Sequence, residues 1–400
     1  MRIFIVAAKR TPIGSFRGAF STVPAVTLGA AAIQGTLADS RIDAGIVDEV
    51  IVGNVIGAGQ GMGIGRQVAV QAGIPHHVPA YSLNMVCGSG MKAVMEGCAH
   101  IKAGESRVVV AAGTENMSRI PFALDAQVRG GVRPGNVELQ DLLISDGLTD
   151  AFHQYHMGLT AENIAVKLGI SREQQDQFAF LSQFKAAAAL EQGRFKKEII
   201  PVEVSGRHGV SRIDQDEYPK PDTTLSKLSR LTPAFCAKGT VTAGNASGLN
   251  DGASALLIAS EEAVEQYRLE PMAEILSYAQ AGVDPEIMGL GPVQATLRAL
   301  AGARLRLDEI DICECNEAFA AQTLGVLQEL SRETGVSFDT LLARTNPNGG
   351  AIALGHPLGA SGNRIVVSLL YEMRRCGARH GLATLCIGGG MGTAIILKSL

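Results

Sequence analysis

The chain has 400 residues, 46% of them apolar and 18% charged, lacks Trp, and carries a formal net charge of −4. That length gives ample core for two or three domains, and the composition excludes a disordered or fibrous chain. The mildly acidic balance, without a long Lys/Arg run, leaves no footprint for nucleic acid, and no apolar stretch approaches the roughly 18 residues that span a bilayer.

Met1–Arg10 is too short between charges for a signal peptide and reads as a first buried strand. The last residues, Lys398-Ser399-Leu400, are not the peroxisomal S-K-L, so the expected location is cytoplasmic. Val47–Asn54 runs from an acidic pair into a β-branched strand. The Gly-rich run 57–65 contains neither G-x-G-x-x-G nor G-K-[ST] and is expected to be a flexible loop near a domain interface, not a phosphate cradle. His76-His77, between prolines, reads as a surface turn.

Ser82–Gly90 is an apolar stretch ending in a Cys87-Gly88-Ser89-Gly90 corner, and Met91–Lys102 follows as a helix. A thiol at such a helix N-terminus is expected to favour the thiolate. Arg107–Met117 reads as a strand buried on both faces. Beyond it the chain is richer in charge and turns, as at 129–135 and 214–222, and Ser171 with Gln174 marks a capped helix start.

The chain repeats itself. Val47–Asn54 matches Leu307–Glu314, Cys87–Gly90 parallels Gly359–Gly362 with a helix after each, and Arg107–Met117 parallels Gly381–Met391. The final strand, 390–397, follows at once in the second half, whereas its counterpart, 250–258, arrives more than a hundred residues late. The expected organisation is residues 1–118 plus 242–270 as one half, 119–241 as an inserted loop domain, and 271–400 as the second half. Strands alternating with helices suggest mainly parallel central sheets, with sites at strand ends.

Three residues point to covalent acyl chemistry. Cys87 is a candidate nucleophile, and His356, in the Gly-rich loop 346–362, a candidate base; taken alone, His356 could equally satisfy loop backbone. Cys386 precedes Ile-Gly-Gly-Gly-Met-Gly, whose N–H groups could face an oxyanion. The remaining cysteines, 98, 236, 313, 315 and 376, read as small buried hydrophobes. With no C-x-x-C and no Cys/His pairing, neither a metal site nor a disulfide framework is expected. Asn316, after the strand 310–315, could hold a water or merely cap a turn. A cysteine hydrolase using Cys87 and His356, and a catalytically silent binding protein, stand beside acyl transfer at this point.

Six motifs narrow the choice: Asn-x-x-Cys-Gly-Ser-Gly at 84–90, Glu-Asn-Met-Ser at 115–118, Gly-Asn-Ala-Ser-Gly at 244–248, Asn-Glu-Ala-Phe at 316–319, Gly-His-Pro-Leu-Gly-Ala-Ser-Gly at 355–362 and Cys-Ile-Gly-Gly-Gly at 386–390. In this order they resemble the thiolases, most closely the biosynthetic branch that condenses acetyl-CoA, over nearly the whole chain. The resemblance implies an α/β fold of duplicated mixed-sheet halves, layered α-β-α-β-α, with a loop domain that binds CoA. It implies that Cys87 carries the acyl group, His356 activates it, Cys386 shuttles a proton at the α-carbon, and oxyanions are held by His356 with an Asn316-bound water and by the N–H groups of Cys87 and Gly388. CoA-contacting positions fall on Leu148, His156, Met157, Lys220, Phe235, Ser247, Leu249, Met288, Ala318 and Phe319. Coenzyme A or acetyl-CoA is then a substrate with no tightly bound cofactor, and the protein a homo-oligomer, dimer or tetramer. The rival within the family is a degradative 3-ketoacyl-CoA thiolase for longer chains. Lys220 in place of an Arg, Pro347 in place of a Val, and a longer 331–345 stretch depart from the family pattern.

Overall fold

A computed structural model gives the fold of the protein and describes residues 1–132, 134–206 and 209–400. Arg133, within the turn expected at 129–135, lies outside the described residues. The first half runs β1 (Ile3–Arg10), β2 (Gly14–Ser15), α1 (Ala25–Ser40), β3 (Glu49–Gly53), α2 (Ile64–Gln71), β4 (Ala80–Leu83), α3 (Ser89–Ala103) and β5 (Val108–Asn116). A long excursion follows: β6 (Phe122–Leu124), β7 (Leu139–Asp141), α4 (Met157–Leu168), α5 (Arg172–Glu191), β8 (Val202–Gly206), β9 (Gly209–Ile213) and α6 (Leu225–Ser229). Then come β10 (Asn250–Ser260), α7 (Glu261–Tyr267), β11 (Ala273–Gly282), α8 (Gly291–Ala303), β12 (Ile312–Cys315), α9 (Ala320–Thr334), α10 (Phe338–Arg344), α11 (Ala351–Leu354), α12 (Leu358–Cys376), β13 (His380–Ile387) and β14 (Met391–Ser399).

The sheet order is β12-β13-β14-β11-β1-β10-β5-β3-β4, with β2 beside β10. The run β11-β14-β13-β12 therefore mirrors β1-β10-β5-β3, which is the duplication seen as topology. The two half-sheets pair through β1 and β11, by Phe4 with Glu274 and Ile5 with Ala273. The expectation of mainly parallel sheets is corrected: only β12–β13, β3–β4 and β3–β5 are parallel. The reason is that β14 returns from β13 through a tight turn, and β10, its equivalent, runs antiparallel to β5 after the excursion.

Period-two alternation on buried strands sorts the core into layers. Leu256 and Ile258 of β10 face α3 and α12, as do Leu385 of β13 and Ile395 of β14. Leu257 and Val110 face the side covered by α1 and α2, and Leu382 and Ile396 face α8 and α9. Helices α3 and α12 thus form a shared middle layer, and α12 is buried along nearly its whole length. They cross at glycine. A Cβ on Gly90 would lie 2.8 Å from the Asn363 nitrogen and the Gly359 carbonyl, and one on Gly362 would lie 2.6 Å from the Met91 nitrogen. Gly359–Gly362 is the first turn of α12 itself, not a corner before it.

The excursion is tied back to β1. Buried Arg10 donates to Glu198 Oε1 at 2.6 Å and grips both oxygens of Asp216 at 2.6 and 2.8 Å. Its helix α5 starts as expected: Ser171 Oγ accepts from Gln174 N while the Gln174 side chain accepts from Ser171 N. Among the described residues no helix is long and apolar enough to cross a membrane. Gly90→Ala forces the neighbouring main chain apart and is expected to destabilise the protein by about 1–3 kcal/mol. Urea denaturation measures this, and an unchanged midpoint contradicts the tight crossing.

Candidate active site

Cys87 sits on a strained elbow between β4 and α3. Val86, a β-branched residue, has φ +47°, a conformation such residues rarely adopt. Two side chains hold it there. Asn84 Oδ1 accepts from Val86 N at 2.9 Å, and Ser89 Oγ accepts from Met85 N at 2.8 Å while donating to the Val86 carbonyl at 2.7 Å. Strain held by several hydrogen bonds aims one residue, here the thiol.

His356 enters from the other half, on the loop before α12. Gly355, at φ +102°, turns the chain, and Asn250 Oδ1 accepts from His356 N at 2.9 Å. The ring is oriented by Ser361, whose Oγ lies 2.5 Å from Nδ1 and 2.9 Å from the Pro357 carbonyl. The serine hydrogen goes to that carbonyl, so Nδ1 is the ring donor and Nε2 carries the lone pair. Asn316 Nδ2 lies 3.5 Å from Nε2, on the same side. Asn316 is buried, and its Oδ1 has no partner among the described residues.

Cys386 is near the end of β13, and Gly388 lies in the turn to β14. Cys87, His356, Cys386 and Gly388 all line one cavity of about 300 Å³. The same wall includes Leu148, His156, Met157, Phe235, Ser247, Leu249, Met288, Ala318 and Phe319. His156 caps α4 by accepting from Gly158 N at 3.0 Å and stacks on Phe235 with 4.5 Å between ring centroids. Phe319 meets Phe235 edge-on at 6.1 Å.

Lys220, the remaining expected CoA contact, is exposed and outside this lining, with its ammonium 5.1 Å from the centre of the ring of Tyr218, a wall residue. One expectation needs correction. Cys236 and Cys376 are exposed, not buried. Asn316 reaches the cavity through His356 and is not part of its lining. Sequence reasoning missed Ile144, Tyr218 and Met117 in the wall. It also missed Glu115, Asn84, Asn250 and Ser361 behind it; three of these lie inside or beside motifs already singled out, but nothing local marks their partners. His76 and His77 form the expected exposed turn, and among the described residues no cluster of His, Cys, Asp and Glu could hold a metal.

Residues 3–262 match the model of the thiolase N-terminal domain and residues 269–399 that of the thiolase C-terminal domain. An acetyl-CoA acetyltransferase of Pseudomonas aeruginosa is 53% identical over 99% of this chain and 98% of its own length. One from Escherichia coli is 50% identical over 99% and 98%. Among solved structures, the acetyl-CoA acetyltransferase from Syntrophomonas wolfei superposes with a TM-score of 0.96 at 38% identity, covering 100% of this chain and 99% of that one. The human mitochondrial 3-ketoacyl-CoA thiolase in complex with CoA gives 0.93 at 43%, covering 100% and 98%.

Burial decides the electrostatics of the site. It pushes the Cys87 thiol up to about 11, although the N–H groups of Gly388 and Cys87 pull the other way. Burial thus opposes the helix-end stabilisation of a thiolate expected from sequence. Burial also pushes Cys386 up, helped by the nearby Cys87. It drives His356 down to about 3, with the Arg364 charge adding to the effect. At neutral pH the resting site is thus two thiols and a neutral imidazole. Alkylation of Cys87 by iodoacetamide is expected to keep rising about tenfold per pH unit through pH 9 and 10, where an ordinary thiol has levelled off near 8.5. Mass spectrometry of the Cys87 peptide measures the rate, and a plateau below pH 8 means the helix end prevails.

Proposed function

The chain belongs to the thiolase family, and from that premise we propose that it is an acyl-CoA C-acetyltransferase, joining two acetyl-CoA into acetoacetyl-CoA and CoA, reversibly, through an acetyl thioester on Cys87. The observation that carries this reading is the convergence of Cys87, His356 and Cys386, from three distant stretches, on one cavity. A cysteine hydrolase needs no second thiol there. The names and near-complete coverage of the bacterial relatives support the same reaction.

The proposed steps conserve charge at each stage. His356 Nε2 takes the Cys87 proton as sulfur attacks the acyl carbonyl. CoA leaves as a thiol with the proton of Cys386, so the site now holds an imidazolium and the Cys386 thiolate. That thiolate removes a proton from the α-carbon of the second acetyl-CoA, the carbanion attacks the acetyl-Cys87 carbonyl, and the departing Cys87 sulfur recovers its proton from His356. Burial disfavours isolated charges, so each charge arises opposite its counterpart. The free Oδ1 of buried Asn316 suits a water that helps His356 hold the enolate oxygen. The N–H groups of Gly388 and Cys87 suit the tetrahedral oxyanion.

The segment 119–241 would hold the CoA arm, with His156, Met157, Tyr218 and Phe235 against pantetheine and Lys220 outside, near the phosphates. The two outer domains, 1–118 with 242–270 and 271–400, supply the chemistry. An assembly of two or four copies in the cytoplasm completes the proposal. The likeness to the 3-ketoacyl-CoA thiolase keeps the longer-chain reading testable.

Two measurements check this. Thiolysis across acyl lengths should favour acetoacetyl-CoA, and a preference for eight or more carbons overturns the short-chain assignment. Cys386→Ala should still be acetylated on Cys87, more slowly because CoA must then leave with the His356 proton, but lose condensation by about 10²–10⁴-fold. Full turnover in that variant would point to hydrolase chemistry.

A further inference from the structure

We propose that Glu115 is the positioning residue that sets the separation of Cys87 and His356, because one buried carboxylate is hydrogen-bonded both to the loop that holds the nucleophile's elbow and to the first turn of the helix that orients the base. The inference rests on the reading of those two residues as nucleophile and base.

Glu115 is at the end of β5, fully buried, with no ion-pair partner among the described residues. Its oxygens accept four hydrogen bonds. Oε1 takes Asn54 Nδ2 at 3.1 Å and Ile56 N at 3.3 Å; Oε2 takes Val55 N at 2.9 Å and Gly359 N at 3.0 Å. The first three donors belong to the loop after β3, in the first half of the chain. The fourth belongs to α12, in the second half.

From each donor the path to a reacting atom is short. The Val55 carbonyl accepts from Asn84 Nδ2 at 3.0 Å, and Asn84 Oδ1 accepts from Val86 N, the residue before Cys87. On the other side Gly359 is two residues from Ser361, whose Oγ holds His356 Nδ1. The carboxylate thus closes a hydrogen-bonded route between two segments that the chain itself joins only through more than 260 residues.

A carboxylate buried without a cation is expensive, and burial pushes Glu115 up to about 7. Simple filling of this space would be served better by a neutral side chain. An acceptor-only group is what the four donors require, since a glutamine would present its own N–H₂ to at least one of them. Oε2 also sits at the N-terminus of α12, where the dipole favours negative charge. Gly359 permits the approach: a Cβ there would lie 2.7 Å from Oε2.

The test uses Glu115→Gln, Asn84→Ala and the double variant of the full chain, with thermal unfolding to verify folding. Glu115→Gln is expected to lower kcat for acetyl transfer roughly tenfold to a hundredfold, with KM for acetyl-CoA within about twofold, because Glu115 does not line the cavity. The double variant should lose no more than the worse single variant, since both cut one route. Unchanged kcat in folded Glu115→Gln, equal proportional changes in KM and kcat, or additive losses overturn the proposal. If Glu115→Gln does not fold, Asn84→Ala alone carries the same KM and kcat comparison. Alkylation of Cys87 by iodoacetamide needs no acyl-CoA. A wild-type chain that alkylates but does not transfer acetyl groups defeats the functional reading, and slower alkylation in Glu115→Gln, against the acceleration that loss of its nearby negative charge brings, still supports the positioning role, whereas an unchanged or faster rate defeats it.

Discussion

Where α3 crosses α12, main chain meets main chain, with no side chain between Gly90 and the Gly359 carbonyl. The active-site residues are arranged around this contact. Cys87 stands two residues before α3 and His356 two residues before α12, so the crossing of two helix beginnings brings a thiol and an imidazole together from opposite halves. The duplicated sheets serve to hold the pair. Each packs its inner face against the two helices, and only a two-residue seam between β1 and β11 joins one sheet to the other.

Burial of that crossing also sets the chemistry. A solvent-facing cysteine at a helix start would ionise easily and react with many partners. Here desolvation keeps both sulfurs protonated and the ring neutral, and charge appears only while substrate is being transformed. The hydroxyl of Ser361 selects the tautomer in which Nε2, the nitrogen beside Asn316, carries the lone pair. In the proposed reaction, pre-set donors would meet oxyanions without reorganising, which is how a dry site gains most from dipoles.

Much of this was legible in the sequence. Apolar stretches such as 3–8 and 255–258 read as strands buried on both faces, and glycine clusters around Cys87, His356 and Cys386 mark places where backbone comes close to something. The repeat was visible because each half uses the same strand and helix order. Strand direction was not visible, because alternation alone does not say whether a connection crosses over or turns back, and β10 is separated from β5 by a long excursion. The opposing effect of burial on the thiol was not visible for a related reason: a helix end is local information, whereas burial comes from residues hundreds of positions away. Tyr218 was missed because nothing in the turn at 214–222 marks which ring folds against the cavity. Glu115, Asn84 and Ser361 gain their roles only from partners that folding supplies.

Arg10 anchors the excursion with charge in a place water does not reach, gripping Asp216 through two parallel hydrogen bonds and Glu198 through a third. Pulling that guanidinium from its carboxylates would strand ions in a dry interior, which costs several kcal/mol. The excursion is therefore riveted rather than hinged. Met157, Met288, Phe235 and Phe319 thus line a cavity whose covering segment is fastened to the central sheet by buried ions.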